Sequence, residues 1–350
     1  MKLDLIVPGS IDQITGGYVF ARRIVWEMRA RGDHVSVVEL DGYFPDADAT
    51  AKRSAAAALA ALPTGATAVI DGLGLLGFAD CLADEAPRLK LVGFVHHSLA
   101  DETGLSARKT GRFLAAEQRL LPLLRGTLCP SRNTAAALMN HGIPEERIAI
   151  TPPGVAKTVA GRRREKFRSQ LRLLCVATIT RRKGHRLLIE ALAALDPSAW
   201  RLDCIGSLTR DPDCVAELRE AIVAHGLETN VRLLGERPPA QLAPAYDDAD
   251  VFVLASFHEG YGMAFAEAMA HGLPIIATSA GAVPDTVPRE AGILVPPGDA
   301  AALTAAIDRV IKDHGILAQL SDGARRKAAE LKDWPQAVAQ WRDAVARFIA

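Results

Sequence analysis

A chain of 350 residues is long enough for two domains, each with a core of its own. Lys and Arg number 41 and Asp and Glu also 41, so no surplus of charge draws the chain to nucleic acid. Hydrophobic residues at 49% and charged residues at 23% are ordinary for a soluble globular enzyme, and no apolar run approaches the length of a membrane span.

The opening Met-Lys-Leu-Asp-Leu-Ile-Val lacks the long apolar stretch of a signal peptide and reads as a first strand. The first half then alternates short apolar runs with amphipathic stretches, the pattern of βα units around a parallel sheet. Strands are predicted over 3–7, 35–38, 67–70, 91–95 and 127–129, and helices over 17–31, 50–61, 107–123 and 132–140. The prolines of 151–155 and the basic run 161–168 read as a domain linker. That run is also a weak candidate for contact with an anionic membrane surface, against the plainer reading of a solvated linker. A second series follows, with strands over 172–178, 201–205, 231–234, 250–254, 274–277 and 292–295. Its helices are predicted over 183–195, 212–225, 239–246, 262–271, 299–312 and 316–330, and a tail helix over 334–349. The expected domains are 1–157, 158–333 and the tail 334–350. Two doubly wound sheets of this kind place a ligand outside the carboxyl ends of their strands, in a cleft between the halves.

The most informative stretch is 258–274. Glu259 and Glu267 stand eight positions apart, the first in a Gly-rich loop and the second in the helix that follows. Gly260 and Gly262 let the backbone approach a ligand closely, and a helix start offers N–H groups and a positive dipole end to an anion such as a diphosphate. Two acids that accept hydroxyls beside a phosphate-binding turn suggest a nucleotide sugar.

Other motifs are less specific. Residues 72–77 match Gly-x-Gly-x-x-Gly, but not at the first strand, and the next strand ends at His96 rather than at an acid. A tight turn after the strand is the better reading. Gly16-Gly17 opens the first helix and serves either an anion or only the geometry of the turn. Arg181, Arg182 and Lys183 follow a strand, where cations neutralise a diphosphate or merely form a solvated charge run. His96 and His97 end a strand, where functional residues gather; no third ligand at metal spacing accompanies them. Asp250, at the start of the strand before the Glu259 loop, reads as a surface or capping acid. Cys81, Cys129, Cys175, Cys204 and Cys214 show no zinc spacing and read as reduced thiols of a cytoplasmic protein. No metal and no cofactor is expected.

In this order the pieces resemble glycosyltransferase family 4, retaining enzymes of the GT-B fold. The resemblance runs through Ile14 to Arg22, Arg31 to Val35, Cys129 to Asn133, Pro152 to Val155, and most specifically 256–278 with 281–285 and 292–299. It implies an α/β chain of two Rossmann-like doubly wound domains facing a central cleft, the first for the acceptor and the second for the nucleotide sugar. It assigns Glu267 to the ribose hydroxyls and Glu259 to the donor sugar. Gly260, Tyr261, Gly262 and Met263 surround sugar and phosphates, and Lys183 meets the diphosphate. His97 becomes the histidine at the donor sugar, with His96 as the alternative. Gly16 and Gly17 line the donor phosphate or the acceptor, and the tail helix crosses back to the first domain. Relatives carry an Arg where this chain has Thr178, so Arg181 or Arg182 must substitute or Lys183 acts alone.

The implied reaction moves a hexosyl group from a UDP, GDP or ADP sugar to a hydroxyl of an acceptor, with retention and without a metal. The alternatives are another GT-B nucleotide-sugar enzyme, an epimerase or a hydrolase, or a non-catalytic nucleotide-sugar-binding protein.

Overall fold

The structure, a computed structural model, describes residues 1–156 and 170–350. The basic run 161–168, with its reading as a linker or membrane contact, and the expected boundary at 157/158 lie outside the described residues.

In chain order the first elements are β1 (Lys2–Pro8), α1 (Gly16–Ala30), β2 (His34–Leu40), α2 (Ala49–Ala60), β3 (Thr67–Asp71), α3 (Leu82–Glu85), β4 (Lys90–Phe94), α4 (Ala107–Leu120), β5 (Gly126–Cys129), α5 (Arg132–Asn140) and β6 (Ile148–Ile150). There follow β7 (Leu171–Val176), α6 (His185–Ala193), β8 (Trp200–Ile205), α7 (Pro212–Ala224), β9 (Val231–Leu233), α8 (Pro239–Asp248), β10 (Val251–Leu254), α9 (Met263–Ala270), β11 (Ile275–Thr278), α10 (Val283–Thr286), β12 (Gly292–Val295), α11 (Ala300–Lys312), α12 (His314–Glu330) and α13 (Trp334–Ile349). The chain divides into two compact units, Met1–Gly154 with Lys332–Ala350, and Val155–Leu331.

Unit 1 holds a six-stranded sheet in the order β2-β1-β3-β4-β5-β6. Its pairs are all parallel, and the order reverses between β1 and β3. Continuous apolar runs suit strands covered on both faces: Leu5, Ile6 and Val7 of β1, and Ala68, Val69 and Ile70 of β3, are buried. The Gly-rich segment 72–77 lies within a buried 3-10 turn, Gly72–Phe78, started by Asp71 Oδ1 accepting from Leu73 N at 2.9 Å. Its glycines serve packing, since a Cβ on Gly72 would press on Val95 and one on Gly77 on Phe44.

Helix α13 belongs to unit 1. An Asp333–Gln336 capping box starts it, and Trp334, Val338, Trp341 and Val345 form its buried stripe. Phe94 meets Trp341 edge-on, and Lys90 Nζ donates to Ile349 O at 2.7 Å. Arg342 Nε lies 2.9 Å from Asp33 Oδ2, while the N-terminal ammonium holds the other carboxylate oxygen. Burial alone would raise Asp33, but these two cations hold it below its ordinary value.

Unit 2 holds a second parallel six-stranded sheet, β9-β8-β7-β10-β11-β12, which reverses between β7 and β10. This is the Rossmann strand order, in which ligands bind beyond the carboxyl ends of the strands at the reversal.

Some boundaries differ from the sequence reading. Helix α6 begins at His185 rather than at 183, because Arg181–Lys183 form a 3-10 turn ended by Gly184 in the left-handed region, φ 64°. No Cβ fits there: it would stand 1.9 Å from Ala255 O. Helix α4 ends at Leu120, since Pro122 turns the next residues into a 3-10 turn. The short β6, α3 and α10 were not anticipated, being too brief to show a period.

Candidate functional site

In unit 2 the two loops at the sheet reversal carry the predicted charges. The β7–α6 loop brings Arg181, Arg182 and Lys183, and the β10–α9 loop brings Glu259 to Gly262. A backbone bond from Phe257 N to Arg182 O, 2.8 Å, ties them together. Lys183 Nζ then meets Glu259 Oε1 at 2.7 Å, and Ser256 Oγ donates to the same oxygen at 2.6 Å. Arg182 Nη1 donates to His258 O at 2.9 Å and stands 3.9 Å from Glu259 Oε2. Arg181 instead pairs with Glu217 on an exposed face. Of the two candidates to replace the cation missing at Thr178, only Arg182 therefore joins Glu259 and Lys183.

Glu259 is buried, and burial alone would raise its pKa. Lys183 first, then Arg182 and Ser256, overcome this and hold the carboxyl below its ordinary value. Lys183 is pushed below its ordinary value by burial and by Arg182, with Glu259 opposing. The site thus keeps a fixed carboxylate beside a cation held in a poorly solvated place. Behind Glu259 the backbone is close-packed: Ala282 N donates to Glu259 O at 2.8 Å, and Gly281, at φ 56°, leaves no space for a Cβ.

The Gly-rich loop ends at Gly262, φ 84°, which caps α9. Thr286 Oγ1 fixes the turn by donating to Tyr261 O at 2.7 Å, and burial pushes the Tyr261 phenol up to about 12. Met263 is the first residue of α9, and Gly260 directly follows Glu259. Glu267, half-buried, is the fifth residue of α9, and its Oε2 accepts from Tyr246 OH at 2.9 Å. Tyr246 is itself fixed, stacked on His271 with ring centroids 5.1 Å apart.

In unit 1 a second cluster forms at the reversal between β1 and β3. Gly16 and Gly17 start α1, and the loop before them is pinned by Arg22 donating to Gln13 O at 2.8 Å. His96 Nε2 lies 3.0 Å from Asp71 Oδ2 at the end of β3. A Cβ on Gly17 would come within 3.2 Å of that nitrogen, so the absence of a side chain at Gly17 leaves room for the imidazole ring. His97 Nε2 instead lies 3.3 Å from Glu102 Oε2. The loop that follows is held by buried Glu117, which accepts from Ser98 Oγ at 2.6 Å and Leu99 N at 2.7 Å.

Comparison with known proteins gives these two clusters a family. The model described as Glycosyltransferase Family 4 matches residues 66–158, and that described as Glycosyl transferases group 1 matches residues 170–313. The chain belongs to glycosyltransferase family 4. It is 28% identical over 267 residues to the amylovoran biosynthesis glycosyltransferase AmsK of Erwinia amylovora, covering 72% of this chain and 63% of that one. It is 33% identical over 209 residues to WcaL of Salmonella typhimurium, a putative colanic acid biosynthesis glycosyltransferase, covering 56% and 50%. The chain thus spans between half and two thirds of the length of these curated relatives. Solved structures show the same fold. Sucrose-phosphate synthase from Thermosynechococcus elongatus superposes with a TM-score of 0.82 at 20% identity, covering 99% of this chain and 98% of that one. Anabaena HepE, solved with UDP and glucose, gives 0.76 at 18% identity, covering 99% and 100%. Both match the GT-B architecture.

Within this family 4 chain, sequence reasoning missed Ser256, Tyr246 and Asp71, the partners that fix Glu259, Glu267 and His96. Ser256 lay within reach, three residues before Glu259. Tyr246 and Asp71 carry no local signal, since each sits 21 or 25 positions from its partner. Among the described residues no helix is long and apolar enough to cross a membrane.

Proposed function

We propose that this chain is a retaining glycosyltransferase that moves a sugar from a nucleotide-diphosphate sugar to a hydroxyl acceptor. The observation that carries the reading is the Lys183–Glu259 pair at the sheet reversal of unit 2, flanked by Arg182 and followed by the start of α9. HepE, with the same fold, has been solved with UDP-glucose, which supports a UDP sugar as the first donor to try.

Departure of the diphosphate leaves an oxocarbenium-like sugar and adds negative charge to the leaving oxygen. Lys183, Arg182 and the N-terminal turn of α9 would stabilise that charge, as preorganised groups that need no rearrangement during the step. Glu259, kept ionised by the cations beside it, would hold sugar hydroxyls rather than attack. Glu267, oriented by Tyr246, would take the ribose hydroxyls. Gly260, Tyr261, Gly262 and Met263 would bring backbone amides to sugar and phosphate, and Gly16 and Gly17 would serve the donor phosphate or the acceptor.

For the histidine at the donor sugar, His97 is the reading that the family resemblance implies. The geometry favours its neighbour: His96 is anchored by buried Asp71 and faces Gly17, whereas His97 is paired with Glu102. The hydrogen bond to Asp71 selects the Nε2–H tautomer and leaves Nδ1 as an acceptor for a sugar hydroxyl.

The test is a thermal-shift screen of UDP, GDP and ADP sugars, followed by product analysis with the best ligand and simple hydroxyl acceptors. A glycosylated acceptor with retained anomeric configuration is expected. Free sugar without an acceptor product would make the chain a hydrolase. An altered sugar would make it an epimerase. Binding without any turnover would leave a binding protein.

A further inference from the structure

Three soft side chains that glycosyl transfer leaves unused meet inside unit 2. Cys175 on β7 and Cys204 on β8 are register partners, and His185 is the first residue of α6. Their exposures are 1, 2 and 3%, so water does not compete for them. Cys175 Sγ lies 3.6 Å from His185 Nε2, and one ligand atom from each of the three lies within 4.8 Å of the others. A tetrahedral zinc centre, with Zn–S of about 2.3 Å and Zn–N of about 2.0–2.1 Å, sets its sulfur and nitrogen about 3.6 Å apart. The Cys175–His185 edge already has that length. Sequence spacing could not show this, because the three ligands come from three successive elements of one βαβ unit and match no zinc pattern.

We propose that Cys175, His185 and Cys204 form a binding site for a divalent thiophilic ion of the zinc group. The ligand chemistry excludes hard cations, which take oxygen. Charge decides between the soft ones. Two thiolates and a neutral imidazole cancel a divalent ion and leave no net charge in an apolar core, where an uncompensated charge is costly. A monovalent copper ion would leave one negative charge. Three protein ligands leave the fourth position to a small ligand such as water. His185 stands two residues after Lys183, so a bound ion would tie the loop that carries Lys183 to both β7 and β8.

The test uses the whole chain with Cys81→Ser, Cys129→Ala and Cys214→Ser, so that only the two clustered thiols remain. It is expressed with added zinc, so slow entry into a finished core cannot hide binding, and purified under reducing conditions. Elemental analysis should find about one zinc per chain, since one His and two Cys make one site. Replacement by cadmium should give thiolate charge-transfer absorption. Cys175→Ser and Cys204→Ser should each abolish both signals in chains that circular dichroism shows to be folded. Loading should raise the melting temperature of the parent by mass action and not that of Cys204→Ser. A folded, fully reduced chain without metal would overturn the proposal, as would metal retained in both serine variants. If the serine variants fail to fold, His185→Asn in the same background decides by loss or retention of the cadmium band.

Discussion

Lys183→Met, Glu259→Gln and their combination test whether the central pair of unit 2 acts as one device. The two side chains are 17% and 5% exposed and meet at 2.7 Å. Removing one member of a buried pair typically costs about 3–5 kcal/mol, because the other charge is stranded. Here Ser256 still donates to Glu259 at 2.6 Å, Arg182 stays 3.9 Å away, and Lys183 keeps some contact with solvent. We therefore expect the low end for Lys183→Met, about 3 kcal/mol. Glu259→Gln strands Lys183 beside Arg182 and should also destabilise. The double variant strands neither, so its loss should fall short of the sum by about 1–3 kcal/mol. Trp200, buried in unit 2, is the only tryptophan between residues 155 and 331, so fluorine NMR of fluorotryptophan-labelled protein during urea unfolding reads this unit alone. Additive losses, or a Lys183→Met cost below about 1 kcal/mol, would refute the coupled pair. In a folded Lys183→Met variant, donor turnover should fall about 100- to 1,000-fold, and undiminished turnover would remove Lys183 from the donor site.

Tyr246→Phe removes one hydrogen bond to the Glu267 carboxylate, worth about 1.5–3 kcal/mol for a charged acceptor; donor affinity by calorimetry should weaken while kcat at saturating donor changes little, and unchanged affinity would separate Glu267 from ribose. His96→Ala should cost transfer more than His97→Ala, and Asp71→Asn should shift the His96 nitrogen signals away from the Nε2–H tautomer; an unmoved tautomer or the reverse order of activities returns the role to His97. The Glu117 carboxylate, 3.4 Å from His141 Nδ1, raises His141 above its ordinary 6.5, so this pair stabilises unit 1 fully below that value and the gain fades as pH rises through the higher folded value. Urea melts of parent and His141→Gln across that range should show the slope vanish in the variant.

The fold was legible because period and turn chemistry agree along most of the chain. The strands around 68–70 and 251–254 are continuous apolar runs, and α13 shows its stripe at helical spacing. What stayed hidden depends on contacts distant in sequence. The helix over 183–195 was started too early because nothing local tells that Gly184 packs on Ala255 O. Arg181 and Arg182 are equivalent by sequence; only Glu217 on one side and His258 with Glu259 on the other tell them apart. The pair of histidines was equally ambiguous until Asp71 and Gly17 were found around one of them.

The placement of α13 has a consequence for biosynthesis. Residues 332–350 complete unit 1, yet they leave the ribosome after all of 155–331. Unit 1 is thus begun first and finished last, and unit 2 is in effect an insertion within it. Once residue 331 has emerged from the translating ribosome, unit 2 has its own chain in full, while the sheet of unit 1 still waits for Trp334 and Trp341 to cover it. The exposed sheet face in that interval is where a chaperone would find its purchase.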